Sequence, residues 1–337
     1  MIEQYLNISN SLRNLSDWEF DCILPQLADE LSFVEFELTY TDQELYKSWQ
    51  TLMNVTHAGK FIPSQYRHGM ELCEHYMPNF WDIQNSKGNS FRTLWQNPTN
   101  LMKVLRLNRK MHSTPYMSEL RRTLYFSFGL PKSTMYRPGL AKNIVSYYRA
   151  QRVFDPCAGW GGRMLGAVAA GAHYTAFEPN CATYNNLWKI VKFLGLESKI
   201  TLINAPAQSI SRSEFDEFDM ILTSPPYFSL EVYSGEATQS YARDMTYPEW
   251  VDNFLEPVIL QSMDLLRPGG VSCWNVANVG KYRLIDDVKH IHEKRSFSQD
   301  DTFGITASSR PSGVSRKSID TTVAYTHVGT PTKQTWF

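Results

Sequence analysis

This sequence has no paired cysteines, no long apolar run, no repeat and almost no net charge. Its five cysteines, Cys22, Cys73, Cys157, Cys181 and Cys273, lie far apart without a Cys-x-x-Cys pair, which excludes a disulfide framework and argues against a zinc site. No apolar stretch approaches the ~18 residues of a membrane span, and no basic-then-apolar segment stands at the start. A soluble, cytoplasmic protein with no membrane or metal partner is therefore expected. The absence of an internal repeat or a long low-complexity tract excludes a repeat architecture. A net charge of −1 excludes a uniformly basic nucleic-acid binder, so any attraction for a polyanion has to be local. The 337 residues leave room for one large domain or two modest ones.

What the chain does hold is a stiff, acceptor-lined turn. Phe218-Asp219-Met220-Ile221-Leu222 is short and apolar, as a buried parallel strand requires, and it runs into Thr223-Ser224-Pro225-Pro226-Tyr227. The two prolines fix φ and remove two backbone N–H groups, so the turn is rigid and presents carbonyl acceptors. Such a turn suits a planar amine: it holds an exocyclic –NH2 by hydrogen bonds while Tyr227 stacks on the ring that carries it.

A second motif lies upstream. Val153-Phe154-Asp155-Pro156 reads as a strand, Cys157-Ala158-Gly159-Trp160-Gly161-Gly162 as a Gly-rich turn, and Arg163 to Ala170 as a helix. Glycines there let the backbone approach a ligand and expose N–H groups at a helix N-terminus. A further strand, Tyr174 to Phe177, ends at Glu178, whose carboxylate is placed to accept both hydroxyls of a ribose. The distance from Asp155 to Glu178 is that of a βαβ nucleotide site. A Gly-x-Gly alone is weak; the three features in order on successive strands are not.

Together, Asp155 to Arg163, Glu178 and Thr223 to Tyr227 resemble the class I S-adenosylmethionine-dependent methyltransferases. Within them the chain is similar to the amino-group DNA methyltransferases, whose target-base motif reads Asp/Asn/Ser-Pro-Pro-Tyr; the Ser form preceded by Thr is most like the cytosine-N4 branch. Leu265-Leu266-Arg267-Pro268-Gly269-Gly270 resembles the family's turn before its fifth strand, here Val271 to Val276. The resemblance spans Met135 to His327. It implies an α/β fold, a doubly wound Rossmann-like sheet of seven strands whose last, Thr321 to His327, is antiparallel. It implies S-adenosyl-L-methionine as cofactor and Ser224, Pro225, Pro226 and Tyr227 as the catalytic turn. Implied cofactor contacts are Asp155, Cys157, Ala158, Gly159, Gly161, Gly162, Glu178 and Thr223, with Tyr136 and Pro138 folding over the methionine end. Many relatives carry an Asp near Pro206 for the adenine amine; here Asn204 or Gln208 substitutes.

The implied activity is methyl transfer to the exocyclic amine of a flipped base in DNA, cytosine N4 before adenine N6. An RNA base methyltransferase, or an inactive nucleic-acid-binding protein of the same fold, is the alternative. Pro156-Cys157 resembles the nucleophile of cytosine-C5 methyltransferases, but it sits inside the cofactor turn, where no base carbon is presented to it. His290 and His292 stand at i, i+2 and do not share a helix face, so they are expected at the surface.

Charge is unevenly spread. Residues 1–50 hold ten acidic side chains and two basic ones, whereas residues 101–152 hold eleven Lys or Arg and one acid, Glu119. The second block is interleaved with aromatics and is the expected phosphate-contacting surface, through Arg106, Arg109, Lys110, Arg121 and Arg122. Residues 1–130 are expected to form a mainly helical target-recognition region, with helix-period runs at Asp42 to Asn54 and Leu101 to Arg106. Residues 131–337 are expected to form the methyltransferase domain. The loop Phe228 to Asp244, with Tyr233, Gln239, Tyr241 and Arg243, is placed to close over the base.

Overall fold

The computed structural model describes the chain except at residues 8–13, 58, 86, 131–132, 231, 237, 242–244, 279, 307–318 and 329–337. Arg243 and the polar loop 308–317 lie outside the described residues. The strands are β1 (Phe61–Pro63), β2 (Arg152–Asp155), β3 (His173–Phe177), β4 (Ile200–Ile203), β5 (Phe218–Thr223), β6 (Leu266–Asn275), β7 (Phe297–Thr306) and β8 (Ile319–His327). They form one sheet in the order β1-β7-β8-β6-β5-β2-β3-β4. β2 pairs in parallel with β3 and β5, β3 with β4, β5 with β6, and β1 with β7. β8 runs antiparallel between β6 and β7.

This is a doubly wound Rossmann-like α/β sheet with its last strand antiparallel, but among the described residues it has eight strands where seven were expected. The additional strand, Phe61–Pro63, comes from the segment expected to be helical, and a three-residue strand is too short to establish an alternation. β2 and β5 are buried along nearly their whole length, which is why they read as unbroken apolar runs. Arg267-Pro268-Gly269-Gly270 is absorbed into β6: Phe218 faces Leu266 and Met220 faces Val271, so the intervening residues bulge out of the ladder. Trp250, Phe254, Val258 and Ile259 share one apolar core with Phe154, Phe177, Trp274 and Tyr325.

His292 is a correction: it is fully buried, not at the surface. Its Nδ1 bonds the Val288 carbonyl at 2.7 Å, its Nε2 lies 2.9 Å from Ser272 Oγ, and its ring stacks on Tyr325. Burial pushes its pKa down to about 4. The helix Leu284–Lys294 carries His290 and His292 on different faces, and only the second faces the sheet core.

The chain falls into two compact units, and a single boundary near residue 130 does not describe them. A mainly helical unit comprises Met1–Leu38, Pro78–Ser133 and Leu230–Tyr233; the unit with the sheet comprises Thr39–Met77, Thr134–Ser229 and Ser234–Phe337. In the latter, Lys142 is one tie between the helix Asp42–Asn54 and the helix Pro138–Tyr148. Its ammonium donates to the carbonyls of Leu52, Met53 and Val55 at 2.7–2.8 Å, capping that helix where its dipole is negative. In the helical unit the helix Asp17–Ser32 opens on a capping box of Ser16 and Glu19. Its Leu24, Leu27 and Leu31 share a core with Leu101, Val104, Leu105, Leu120 and Leu124. No helix among the described residues is long and apolar enough to cross a membrane.

Candidate active site at the carboxyl ends of the central strands

Strand order reverses between β2 and β5, and the crevice beyond the carboxyl ends of such strands is where open α/β sheets bind ligands. The Gly-rich turn leaves β2 there and the Ser-Pro-Pro-Tyr turn leaves β5. A buried carboxylate joins them. Asp155 Oδ1 accepts from Thr223 Oγ1 at 2.6 Å and from the Cys157 N–H at 3.0 Å; Oδ2 accepts from Arg163 Nε and Tyr174 OH, both at 2.6 Å. Asp155 and Thr223 are wholly buried, and the bond between them braces the two turns against each other.

Arg163 is the other half of this support. It is 4% exposed, ion-paired with Asp155, bonded to the Ala158 carbonyl at 3.2 Å and to the Cys157 carbonyl, with Tyr136 over its guanidinium. Burial works against its charge, but Asp155 outweighs that cost and raises its pKa. Burial likewise pushes the Cys157 thiol up, away from the thiolate a nucleophile requires.

The turn is not the array of free donors that its glycines suggest. The N–H groups of Cys157, Ala158 and Gly159 go to Asp155, the Phe177 carbonyl and Glu178. The glycines serve shape instead. Gly159 and Gly161 take positive φ of 58° and 85°. Gly162 is a packing residue: a Cβ there would stand 1.8 Å from the Tyr136 carbonyl oxygen. Pro138 and Tyr136 are buried at and just before the start of the helix Pro138–Tyr148, which packs on the helix Gly162–Ala169.

Glu178 ends β3 and is 7% exposed, with Oε2 accepting from Gly159 N–H at 3.0 Å and Oε1 from Asn180 N–H at 2.9 Å. Burial raises its pKa to about 7, partly offset by those two N–H bonds. Each carboxylate oxygen keeps a lone pair for a further donor, which suits a vicinal diol. Asn204 donates to the Glu178 and Pro179 carbonyls at 2.8 and 3.4 Å and accepts from the Cys181 thiol at 3.3 Å, so it braces the end of β3. Gln208 is half-buried in the short helix Ala207–Ser209 after β4.

At the other turn, Pro225 is buried while Ser224, Pro226 and Tyr227 are half-exposed. Ser224 Oγ and Tyr227 OH each lie 3.3 Å from Asn275 Oδ1 at the end of β6. Phe228 follows at φ 51°, a strained value for a bulky residue. It is held by burial among Tyr241, Tyr247, Tyr282 and Trp250 at centroid distances of 5.0–5.9 Å. Tyr241 of the expected lid is thus packed on the turn, and Tyr233 groups with the helical unit.

The basic block of the helical unit is less available than its composition suggests. Arg106 pairs with Asp21 at 3.0 Å, Arg109 with Asp17 at 3.1 Å, and Arg122 with Glu119. Arg121 donates to the Phe36 carbonyl at 2.8 Å, and Lys110 is exposed. Asp17 and Asp21 of the acidic segment 1–50 thus each pair with one cation of the block. Asn275 and Arg163 are the site residues that motif reading missed. Arg163 had a signal, since a charge inside an apolar helix needs a partner, and Asp155 stands eight residues earlier. Asn275 had none.

No protein-family model matches this sequence, and no curated protein matches it. Solved structures of similar fold include an rRNA methylase from Streptococcus thermophilus (14% identity, 58% of this chain and 99% of that one, TM-score 0.38). An SAM-dependent O-methyltransferase from Thermotoga maritima (11%, 60% and 69%, TM-score 0.42) and TrmN from Thermus thermophilus (16%, 64% and 68%, TM-score 0.39) are similar to the same degree. At such scores these likenesses lend the chemistry of the site no support.

Proposed function

We propose that this chain is an S-adenosylmethionine-dependent methyltransferase acting on the exocyclic amine of a nucleobase. The observation that carries the reading is the 2.6 Å bond between Asp155 and Thr223, which ties the nucleotide-type turn of β2 to the amine-type turn of β5 at the switch point. Bound S-adenosylmethionine would supply a methyl group activated on a sulfonium. Glu178 would hold its ribose hydroxyls, Gly159 and Gly161 would allow the close approach, and Gln208 would face the adenine. Tyr136 and Pro138, with Gly162, set the wall of that half of the site. Ser224 Oγ and the Pro225 carbonyl would accept the amine hydrogens, and Tyr227 would stack on the base. Attack makes the amine nitrogen positive, and fixed acceptors stabilise that charge. The remaining task is alignment of the reacting atoms at about 3 Å.

Ser224, preceded by Thr223, makes cytosine N4 in DNA the first target, with adenine N6 next. One observation favours a base amine in RNA as the second reading. With Arg106, Arg109 and Arg122 engaged in ion pairs, less charge is left to grip a duplex and extrude a base, whereas RNA loops present unstacked bases.

The test is Tyr227→Ala with labelled cofactor and both polymers. Loss of stacking should lower transfer by about 1–3 kcal/mol, or roughly fivefold to 150-fold, with cofactor affinity retained. Equal transfer by wild type and variant, or loss of cofactor binding in the variant, contradicts the assignment.

A further inference from the structure

Asn275 ends β6 beside the acceptor turn and is 7% exposed. Its Nδ2 donates to the Thr321 carbonyl at 3.1 Å and to Thr322 Oγ1 at 3.4 Å. A carbonyl oxygen can only accept, so the first bond fixes which end of the amide faces β8. Oδ1 therefore faces the turn after β5, where the hydroxyls of Ser224 and Tyr227 both converge on it at 3.3 Å. Tyr227 OH also lies 3.3 Å from the Asn275 carbonyl oxygen. These are long for O–H···O bonds, but an amide oxygen carries no hydrogen, so both hydroxyls point their protons at Asn275. A serine hydroxyl has one proton and two lone pairs. With its proton turned inward, Ser224 offers lone pairs alone to a substrate. Thr322 Oγ1 lies 2.8 Å from Tyr136 OH, so the same network reaches the segment ahead of β2.

We infer that Asn275 is a positioning residue that makes Ser224 a fixed hydrogen-bond acceptor. It thereby selects a substrate whose reacting atom still carries hydrogens, an exocyclic amine, over a bare ring nitrogen. The inference rests on the proposed function, and its test separates the two. Wild type, Asn275→Asp and Asn275→Leu are compared for transfer to the polymer that the wild type labels, for cofactor affinity by calorimetry, and for thermal melting. Asp keeps an acceptor toward Ser224 but loses the N–H to Thr321; Leu keeps neither. Asn275→Asp should hold kcat within about tenfold of wild type, while Asn275→Leu should lose about a hundredfold, both with unchanged cofactor affinity. If Asn275 merely braced β8, Asp would fall as far as Leu, and that result overturns the inference. Should Asn275→Leu not fold, Asn275→Ala takes its place. Adding Ser224→Asp, an acceptor that needs no orienting partner, should restore roughly tenfold to the Leu or Ala variant; no gain overturns the inference as well. A wild type that binds cofactor yet labels neither polymer defeats the proposed function itself.

Discussion

At the scale of single residues, two buried acids do different work. Asp155 is saturated by four donors and organises both turns. Glu178 has two donors and a pKa raised to about 7, chiefly by burial. Its folded pKa lies above the ordinary carboxylate value. Its contribution to stability is thus fully present below the unfolded value and is lost as pH rises through about 7. A ligand that donates hydroxyls to the ionised form reverses that balance. Cofactor affinity should therefore rise with pH below about 7 and level off above it, with a proton released on binding at pH 6. Calorimetry in buffers of different ionisation enthalpy measures both. A pH-independent affinity with no proton release would show that Glu178 does not hold the ligand. Glu178 was legible in the sequence because strand, turn and spacing all pointed to it. Asn275 was not, because its partners Ser224 and Thr321 lie 51 and 46 residues away.

At the scale of elements, close approach decides the geometry. Gly162 and Gly166 stand one turn apart on the helix Gly162–Ala169, and a Cβ at either would strike the segment 136–142 at 1.8 and 2.3 Å. Gly159 is different, since a Cβ there meets nothing nearer than 3.7 Å and its only cost is its positive φ. Gly162→Ala should destabilise by about 3 kcal/mol or more, and Gly159→Ala by about 1–2 kcal/mol. Thermal melting of the two variants compares them directly; equal losses would mean that the Tyr136 segment yields easily. The strands around the site were legible as short apolar runs between Gly and Pro punctuation. The strand Phe61–Pro63 was not, because it is three residues long and pairs with β7, where Ile62 and Thr306 are 244 residues apart; nor was the inclusion of 39–77 with the sheet, where Lys142 reaches the end of a helix about 90 residues away.

At the scale of the whole molecule, segments far apart in sequence share charge. Asp17 and Asp21 are brought to Arg109 and Arg106 of the basic block at 101–152. Pairing across 85 and 92 residues leaves no trace in a local window of sequence. The doubly wound order was legible, since alternating strands and helices leave few right-handed solutions. The proposed ligand class was suggested by two motifs with complementary needs, which stand at the ends of the paired strands β2 and β5. The proposed polymer was not, because charge was its only sequence signal. One measurement therefore bears most directly on the proposed activity. The protein is incubated with methyl-labelled S-adenosylmethionine and with DNA and RNA, each polymer is digested to nucleosides, and the labelled nucleoside is identified by mass spectrometry. The expected product carries the methyl group on an exocyclic amine, N4-methylcytosine first. Label on a ring carbon or a ribose oxygen, or in neither polymer while the cofactor binds, would contradict it.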